Sequence, residues 1–326
     1  MRYRTLGRTA IEVSEIGFGA WGIGGGWGRR DDDAAVEAIC RALDLGVNFI
    51  DTAMVYGEGH SESLVGQAVR GRRDRVRIAT KIAPKTYRWP TLPRERASHT
   101  YPADWIIDCT EKSLRRLGID RLDLQQFHSW TPEYLQQKED WLPAVEKLKQ
   151  QGKIRAWGVS ANDWDPYNTV SLVESGLCDC VQVIYNIFEQ RPAEKLFPAA
   201  RKNQVGIIVR VPFEEGLLTG QFRPGHAFDP DDWRSEWLTE DRLVEAAGRV
   251  EALRPLLCEE APDLPTLALK FCLAHPAVST VIPGMRSIAH VEANVRASGP
   301  PLSDSTLAAL REHAFVHGWA YPWAQK

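Results

Sequence analysis

Short β-branched, apolar runs recur along the chain, and each is followed by a stretch with apolar residues at i, i+3 and i+4 spacing. The runs predict strands near Glu15–Trp21, Asn48–Ala53, Arg77–Ile82, Arg121–His128, Ile154–Ala161, Cys180–Asn186, Gly206–Pro212 and Thr280–Met285. Helices are expected at Asp32–Leu45, Ser61–Val69, Asp104–Leu117, Trp141–Gln150, Tyr167–Ser175, Ala193–Lys202, Ile288–Ala297 and Ser303–His317, with a longer helical region from Thr239 to about Ala274. A strand returning through a helix runs parallel to the one before it, so the fold class is α/β with both sheet faces covered. Eight such units over ~250 residues predict a (β/α)8 TIM barrel, with an open doubly wound sheet as the competitor. No linker composition interrupts the pattern, so residues 1–326 are read as one domain. The leading Tyr3–Val13 segment, with Gly7 at a turn, is expected as an N-terminal hairpin on the barrel floor.

Several boundaries have a local cause. Asp31-Asp32-Asp33 places acid at the first turn of a helix, where the dipole favours it. Gly46, Gly118, Gly152 and Gly176 follow helix ends, where glycine takes a left-handed cap at least cost. The longest irregular segments, Pro84–Pro102, Ser129–Asp140 and Phe213–Leu238, each follow a strand. They are the expected long loops at the C-terminal face, where barrels place substrate contacts.

Composition excludes several partners. Forty basic residues against 43 acidic leave a net charge of −3, without the basic excess of a nucleic-acid binder. No apolar run approaches the ~18 residues of a membrane span. The start, Met1 to Arg8, has no apolar core of a secretory signal, so a cytoplasmic protein is expected. Six scattered cysteines do not form a disulfide framework, and Cys178-x-Cys180 is spaced too closely for the usual zinc hairpin. No metal site is expected.

The strands end in polar groups. Asn48-Phe-Ile-Asp51 ends in a carboxylate, Arg77-Ile-Ala-Thr-Lys81 in an ammonium and Asp123-Leu-Gln-Gln-Phe-His128 in an imidazole. Ser160 brings a hydroxyl, Gln182 and Asn186 bring amides, and Arg210 brings a guanidinium. Buried singly, such groups would be costly, whereas a closed barrel gathers them at one mouth. Tyr56, five residues past Asp51, falls in the loop above that mouth.

These residues, with their surroundings, resemble the aldo-keto reductase family. Similar segments are Gly17-Phe-Gly-Ala-Trp21, Asp51-Thr-Ala-Met-Val-Tyr-Gly57, Ala79-Thr-Lys81 and Ser113-Leu-Arg-Arg-Leu-Gly118. They continue through Gly158-Val-Ser160, Gln182, Gly216-Leu-Leu-Thr-Gly220 and Ile282-Pro-Gly-Met-Arg-Ser-Ile-Ala-His-Val-Glu-Ala-Asn294, all in order. The resemblance implies reduction of an aldehyde or ketone by hydride from NADP(H). Tyr56 would be the acid, supported by Asp51, Lys81 and His128. The chemistry agrees: a developing alkoxide needs a proton, a phenol can give it, and a neighbouring ammonium is expected to lower the phenol's pKa from ~10.

The resemblance further assigns Trp21, Asp51, Ser160, Gln182, Pro212, Phe213, Gly216, Leu218, Gly284, His290 and Asn294 to the cofactor. Two positions depart from the family pattern. Ala161, followed by Asn162, stands where many relatives have Asn, and Arg210 stands where an aromatic ring usually stacks on the nicotinamide. A guanidinium plane can stack as well, but its charge disfavours the cationic, oxidised ring. Arg286 is the candidate partner of a 2′-phosphate, favouring NADP(H) over NAD(H).

Other patterns are weaker. Gly17-Phe-Gly-Ala-Trp-Gly22 fits GxGxxG, but Gly24, Gly25, Gly26 and Gly28 oppose the helix that motif needs, so a mobile loop is expected. His313 and His317 lie four apart without an acidic third ligand, and no Gly-x-Ser-x-Gly elbow supports serine chemistry. Lys85, Arg88, Arg94 and Arg96, beside Tyr87 and Trp89, would suit an anionic compound such as a phosphorylated sugar. Trp27, Trp130, Trp164, Trp233 and Trp237 either face a pocket or cap the core, and Glu214 and Glu215 add further polar side chains. A barrel lyase or isomerase using Lys81 as a Schiff base, and a reductase-like redox-sensing binding protein, remain alternatives.

Overall fold

The computed structural model describes residues 1–163 and 165–325; Trp164, one of the tryptophans read above as facing a pocket or capping the core, lies outside the described residues. Strands β1 (Tyr3–Thr5) and β2 (Glu12–Ser14) pair antiparallel as the expected hairpin. Gly7 turns between them at φ +53°, and any side chain there would strike the backbone of Gly206. The hairpin's Leu6, Ile11 and Val13 plug the barrel floor against Phe49, Ala79, Leu124, Ala156 and Ile208.

The barrel strands follow in chain order: β3 (Phe18–Gly19), β4 (Phe49–Asp51), β5 (Arg77–Ile82), β6 (Leu122–Phe127), β7 (Ile154–Ser160), β8 (Cys180–Ile184), β9 (Gly206–Arg210) and β10 (Val278–Val281). Each pairs parallel with the next. The two edges close through Gly17 N–H to Val281 O (2.8 Å), Val281 N–H to Glu15 O (2.9 Å) and Gly19 N–H to Pro283 O (3.0 Å). Closure leaves no free edge, and the α/β barrel stands.

Helices α1 (Asp32–Asp44), α2 (His60–Ala68), α3 (Ala97–Thr100), α4 (Ala103–Leu117), α5 (Leu142–Gln150), α6 (Val170–Glu174) and α7 (Leu196–Lys202) lie between strands. Asp31 caps α1, its carboxylate accepting from Ala34 N–H at 3.0 Å. The four glycines expected at helix ends all have positive φ. The helical region expected from Thr239 to about Ala274 holds two helices, α9 (Glu240–Glu251) and α10 (Leu264–Ala274), preceded by the short α8 (Arg234–Trp237). Pro255 and Pro262 remove backbone donors between them, and Asp263 caps the second start. After α11 (Ile288–Val295), α12 (Asp304–Arg311) ends well before His317. The chain then continues without regular secondary structure through buried Tyr321 to a 3-10 turn at Pro322–Gln325. His313 and His317 therefore do not share a helix face, and no metal-binding cluster of His, Cys, Asp or Glu exists among the described residues. None of the described helices is long and apolar enough to cross a membrane.

Candidate active site

The C-terminal strand ends open onto a cavity of about 1030 Å³. Asp51, on β4, and Lys81, on β5, are buried at 2% and 0% exposure. Lys81 Nζ donates to Asp51 Oδ2 (2.5 Å), to Thr52 O (2.9 Å) and to Tyr56 Oη (3.1 Å). The ammonium is thus fixed by two acceptors and aimed at the phenol. The other Asp51 oxygen accepts from Gln126 Nε2 (3.1 Å) and Gln182 Nε2 (2.8 Å). Tyr56 sits in the turn between β4 and α2, and Gly24 of the first loop rests on its backbone so closely that a Cβ would fall 2.7 Å from it.

Burial decides the electrostatics. Desolvation raises the Tyr56 pKa above its ordinary value, against the lowering exerted by Lys81. The expectation that Lys81 would lower it is therefore corrected: the ammonium limits the rise without reversing it. Burial opposes the Lys81 charge, but Asp51 and Tyr56 outweigh it and raise the Lys81 pKa. His128, immediately after β6, lines the cavity with its ring edge toward Tyr56 (centroids 5.8 Å). Burial, then Lys81 and Arg210, hold its pKa well below the usual value, so the imidazole is neutral.

Of the residues assigned to a cofactor, Trp21, Asp51, Ser160, Gln182, Arg210, Pro212, Phe213 and Gly216 all line this cavity. Gly284, Arg286, His290 and Asn294 line it too. Leu218 does not: it is turned fully into the core, and its N–H is spent on Phe213 O (2.9 Å). Asn186 is also withdrawn from the mouth. Strand β8 stops at Ile184, and the amide organises a turn, donating to Val211 O (3.0 Å) and accepting from Phe188 N–H (2.8 Å). Asn162 does not line the cavity, and its Oδ1 accepts from Ser129 Oγ (2.7 Å) and Trp130 N–H (3.1 Å). No helix follows Gly17–Gly22, and α1 waits until Asp32.

Arg210 is held from one side. Its Nη2 donates to Asp163 Oδ1 (2.7 Å) and Ala161 O (3.0 Å), while its buried Nε has no hydrogen-bond partner among the described residues. Arg286 lays its stem across Gly22 and gives Nη1 to Trp27 O (2.5 Å). Burial and Arg286 lower the His290 pKa, so the imidazole brings no charge to the Arg286 end.

Aromatic rings wall the mouth. Trp21 lies nearly parallel to Tyr56 (6.1 Å, 24°) and Trp233 (5.8 Å, 20°), with Trp27 and Trp323 edge-on. Trp89 sets its edge on His128 at 5.7 Å. Trp130 and Trp237 are buried in the core instead. From the Pro84–Pro102 loop only Tyr87 and Trp89 line the cavity; Arg88 is paired with Glu95 (2.7 Å), and Arg94 and Arg96 are exposed away from it. Sequence reasoning missed Asp163, Tyr321 and Trp323. Dense aromatics after the last helix (Trp319, Tyr321, Trp323) were the available signal for two of them.

Known proteins place the chain in a family. The aldo/keto reductase family model matches residues 15–314. The aldo-keto reductase YhdN of Bacillus subtilis (strain 168) is 34% identical over 90% of this chain and 87% of its own length. The NADH-specific methylglyoxal reductase of Escherichia coli (strain K12) is 31% identical, covering 96% of this chain and 98% of its own. Among solved structures, the glycerol dehydrogenase AKR11B4 of Gluconobacter oxydans is 29% identical, with a TM-score of 0.78 over 95% of this chain and 94% of its own. With the barrel, the Asp51–Lys81–Tyr56 contacts and a match over most of its length, the chain belongs to the aldo/keto reductase family of oxidoreductases.

Proposed function

We propose that the protein reduces an aldehyde or ketone to the alcohol, using NADPH as hydride donor and Tyr56 as proton donor. The observation that carries this reading is the Tyr56 hydroxyl, 3.1 Å from a buried ammonium and facing the cavity beside neutral His128. The cavity suits a dinucleotide. Gly284 leaves open space at its wall where a Cβ would project, and the buried Asn294 amide has no hydrogen bond among the described residues. Ser160 and the side-chain Oε1 of Gln182 offer contacts to a carboxamide.

Reduced nicotinamide, when bound, supplies the hydride. Tyr56 is a protonated phenol throughout the working pH range, so it can hydrogen-bond the substrate oxygen and pass its proton as alkoxide charge develops. Lys81 stabilises the resulting phenolate, and Asp51 holds the ammonium in place. His128, neutral, can donate to the same substrate oxygen and fix its direction. Trp21, Trp89 and Trp323 exclude water and favour a substrate with an apolar or ring-shaped body.

The test is loss of NADPH absorbance over a panel of aldehydes and ketones. Turnover supports the reading; a folded protein that binds no nicotinamide nucleotide would return the barrel to Lys81 chemistry without one.

Arg286 carries the preference for NADPH. Replacing it with Leu is expected to weaken NADPH binding about 10- to 100-fold, the scale of a charge-assisted hydrogen bond, with NADH affinity unchanged. Equal losses for both nucleotides would show that Arg286 does not read the 2′-phosphate. Arg210 favours the reduced cofactor. Because Asp163 screens its charge, Arg210→Tyr is expected to shift the NADP+ to NADPH affinity ratio only about two- to fivefold toward NADP+. An unchanged ratio in titrations would remove that role.

A further inference from the structure

The reduction leaves one acid on the cavity wall unused. After β9 the chain turns through three non-glycine residues at positive φ: Val211 (+55°), Glu214 (+48°) and Glu215 (+53°). Such backbone is uncommon and is kept only where surroundings hold it. The two glutamates part from this turn. Glu214 is fully buried, accepts from Asn186 Nδ2 (2.5 Å) and pairs with His317 Nε2 (2.9 Å), tying down the C-terminal segment. Glu215 lines the cavity.

Its Oε1 accepts from Tyr321 Oη (2.7 Å), its main-chain carbonyl accepts from Arg234 Nη1 (3.1 Å), and no hydrogen bond among the described residues engages Oε2. The charged and titratable groups around it are Glu214 of its own turn, Arg210 at the end of β9, Arg234 of α8 and Tyr321. Both guanidinium groups are already matched by carboxylates, Arg210 by Asp163 (2.7 Å) and Arg234 by Asp232 (2.5 Å). Glu214 is a second acid directly beside it. Glu215 thus sits in a buried wall beside a second acid, and each guanidinium near it already has a carboxylate partner among the described residues.

Its position lies along the path a dinucleotide would take. Arg210, beside Tyr56, marks the reactive end. Arg234 stacks over Trp27 (4.6 Å), whose carbonyl holds Arg286 at the far end. Glu215 lines the same cavity: its main-chain carbonyl holds Arg234, its carboxyl meets Tyr321 and feels the Arg210 charge, and a pyrophosphate joining the two ends would pass it. An ionised carboxylate would repel that dianion, whereas a protonated one has an O–H to give it.

We infer that Glu215 is a further binding residue of the dinucleotide site, its neutral carboxyl donating a hydrogen bond to a pyrophosphate oxygen, so that nucleotide and proton are held together. This rests on the nicotinamide-dinucleotide reading above. Burial, with Glu214 adding to it, pushes the free carboxyl up to about 8, against the lowering by Tyr321, Arg210 and Arg234. Binding that requires the protonated form is constant below that pH and weakens as pH rises through it.

The experiment is titration of NADPH into wild type and Glu215→Gln from about pH 6.5 to about pH 9.5, with no substrate present, in buffers of different ionisation enthalpy. The wild-type dissociation constant should stay level to about pH 8 and then rise about tenfold per pH unit, with proton uptake on binding near that pH. Glu215→Gln keeps a neutral donor, so its dissociation constant should remain level throughout, without uptake. A wild-type constant that stays level to the highest pH, or a Gln variant that keeps the wild-type slope, overturns the assignment. If Glu215→Gln fails to fold, wild-type calorimetry still decides, because binding without proton uptake near pH 8 also overturns it. Failure to bind nicotinamide nucleotide at any pH is a different result: it removes the dinucleotide reading itself.

Discussion

Tyr56→Phe lowers carbonyl reduction by at least about 10²–10⁴-fold while NADPH binding persists, if the phenol is the acid. The substitution removes one oxygen and keeps the ring against Trp21 and His128, so packing at the mouth is unchanged. What disappears is the proton and the partner of Lys81 Nζ. The pH dependence sharpens the test. The Tyr56 pKa is raised, so the group is protonated at neutral pH and reduction should be level with pH there. Alcohol oxidation needs the phenolate and should climb as pH rises toward that pKa. His128, already neutral because its pKa is lowered, adds no break near neutrality. Full turnover in Tyr56→Phe would transfer the acid role elsewhere; a reduction rate falling steeply below pH ~7 would point to a different titrating group.

Lys81→Met is expected to cost both stability and activity. It removes the cation from a carboxylate only 2% exposed, leaving Asp51 with the amides of Gln126 and Gln182. Stranding one partner of a buried pair destabilises by about 3–5 kcal/mol, which denaturant melts would register. The double variant Asp51→Asn, Lys81→Met removes both charges and should recover most of that stability. It should not recover turnover, because no ammonium remains beside Tyr56. A single variant as stable as wild type would contradict the buried-pair description. An active double variant would show that the pair supports the fold and not the chemistry.

Much of the site was readable because strand ends obey local rules. Asp51, Lys81, His128, Ser160 and Gln182 lie on or directly after apolar runs, and parallel register carries such residues to one face wherever the barrel closes. The break within the Thr239–Ala274 helical region was also signalled, by Pro255 and Pro262. Loop residues had no such rule. The Asp163–Arg210 pair joins residues 47 apart, and Tyr321 reaches Glu215 across 106 residues. Leu218 matched a motif, yet a 3-10 turn at Leu217–Thr219 rotates it into the core.

The sequence by itself determined the alternation, hence the parallel barrel, and the identity of the groups at its mouth. Periodicity and composition act within a few residues, and these features need no more. Only the tertiary structure decided that burial outweighs Lys81 in setting the Tyr56 proton and that Arg210 is already paired. It alone showed that Glu215 stands on the cavity wall beside a second acid. Those are questions of solvent exclusion and of charges far apart in the chain, and they have no value until the chain has closed on itself.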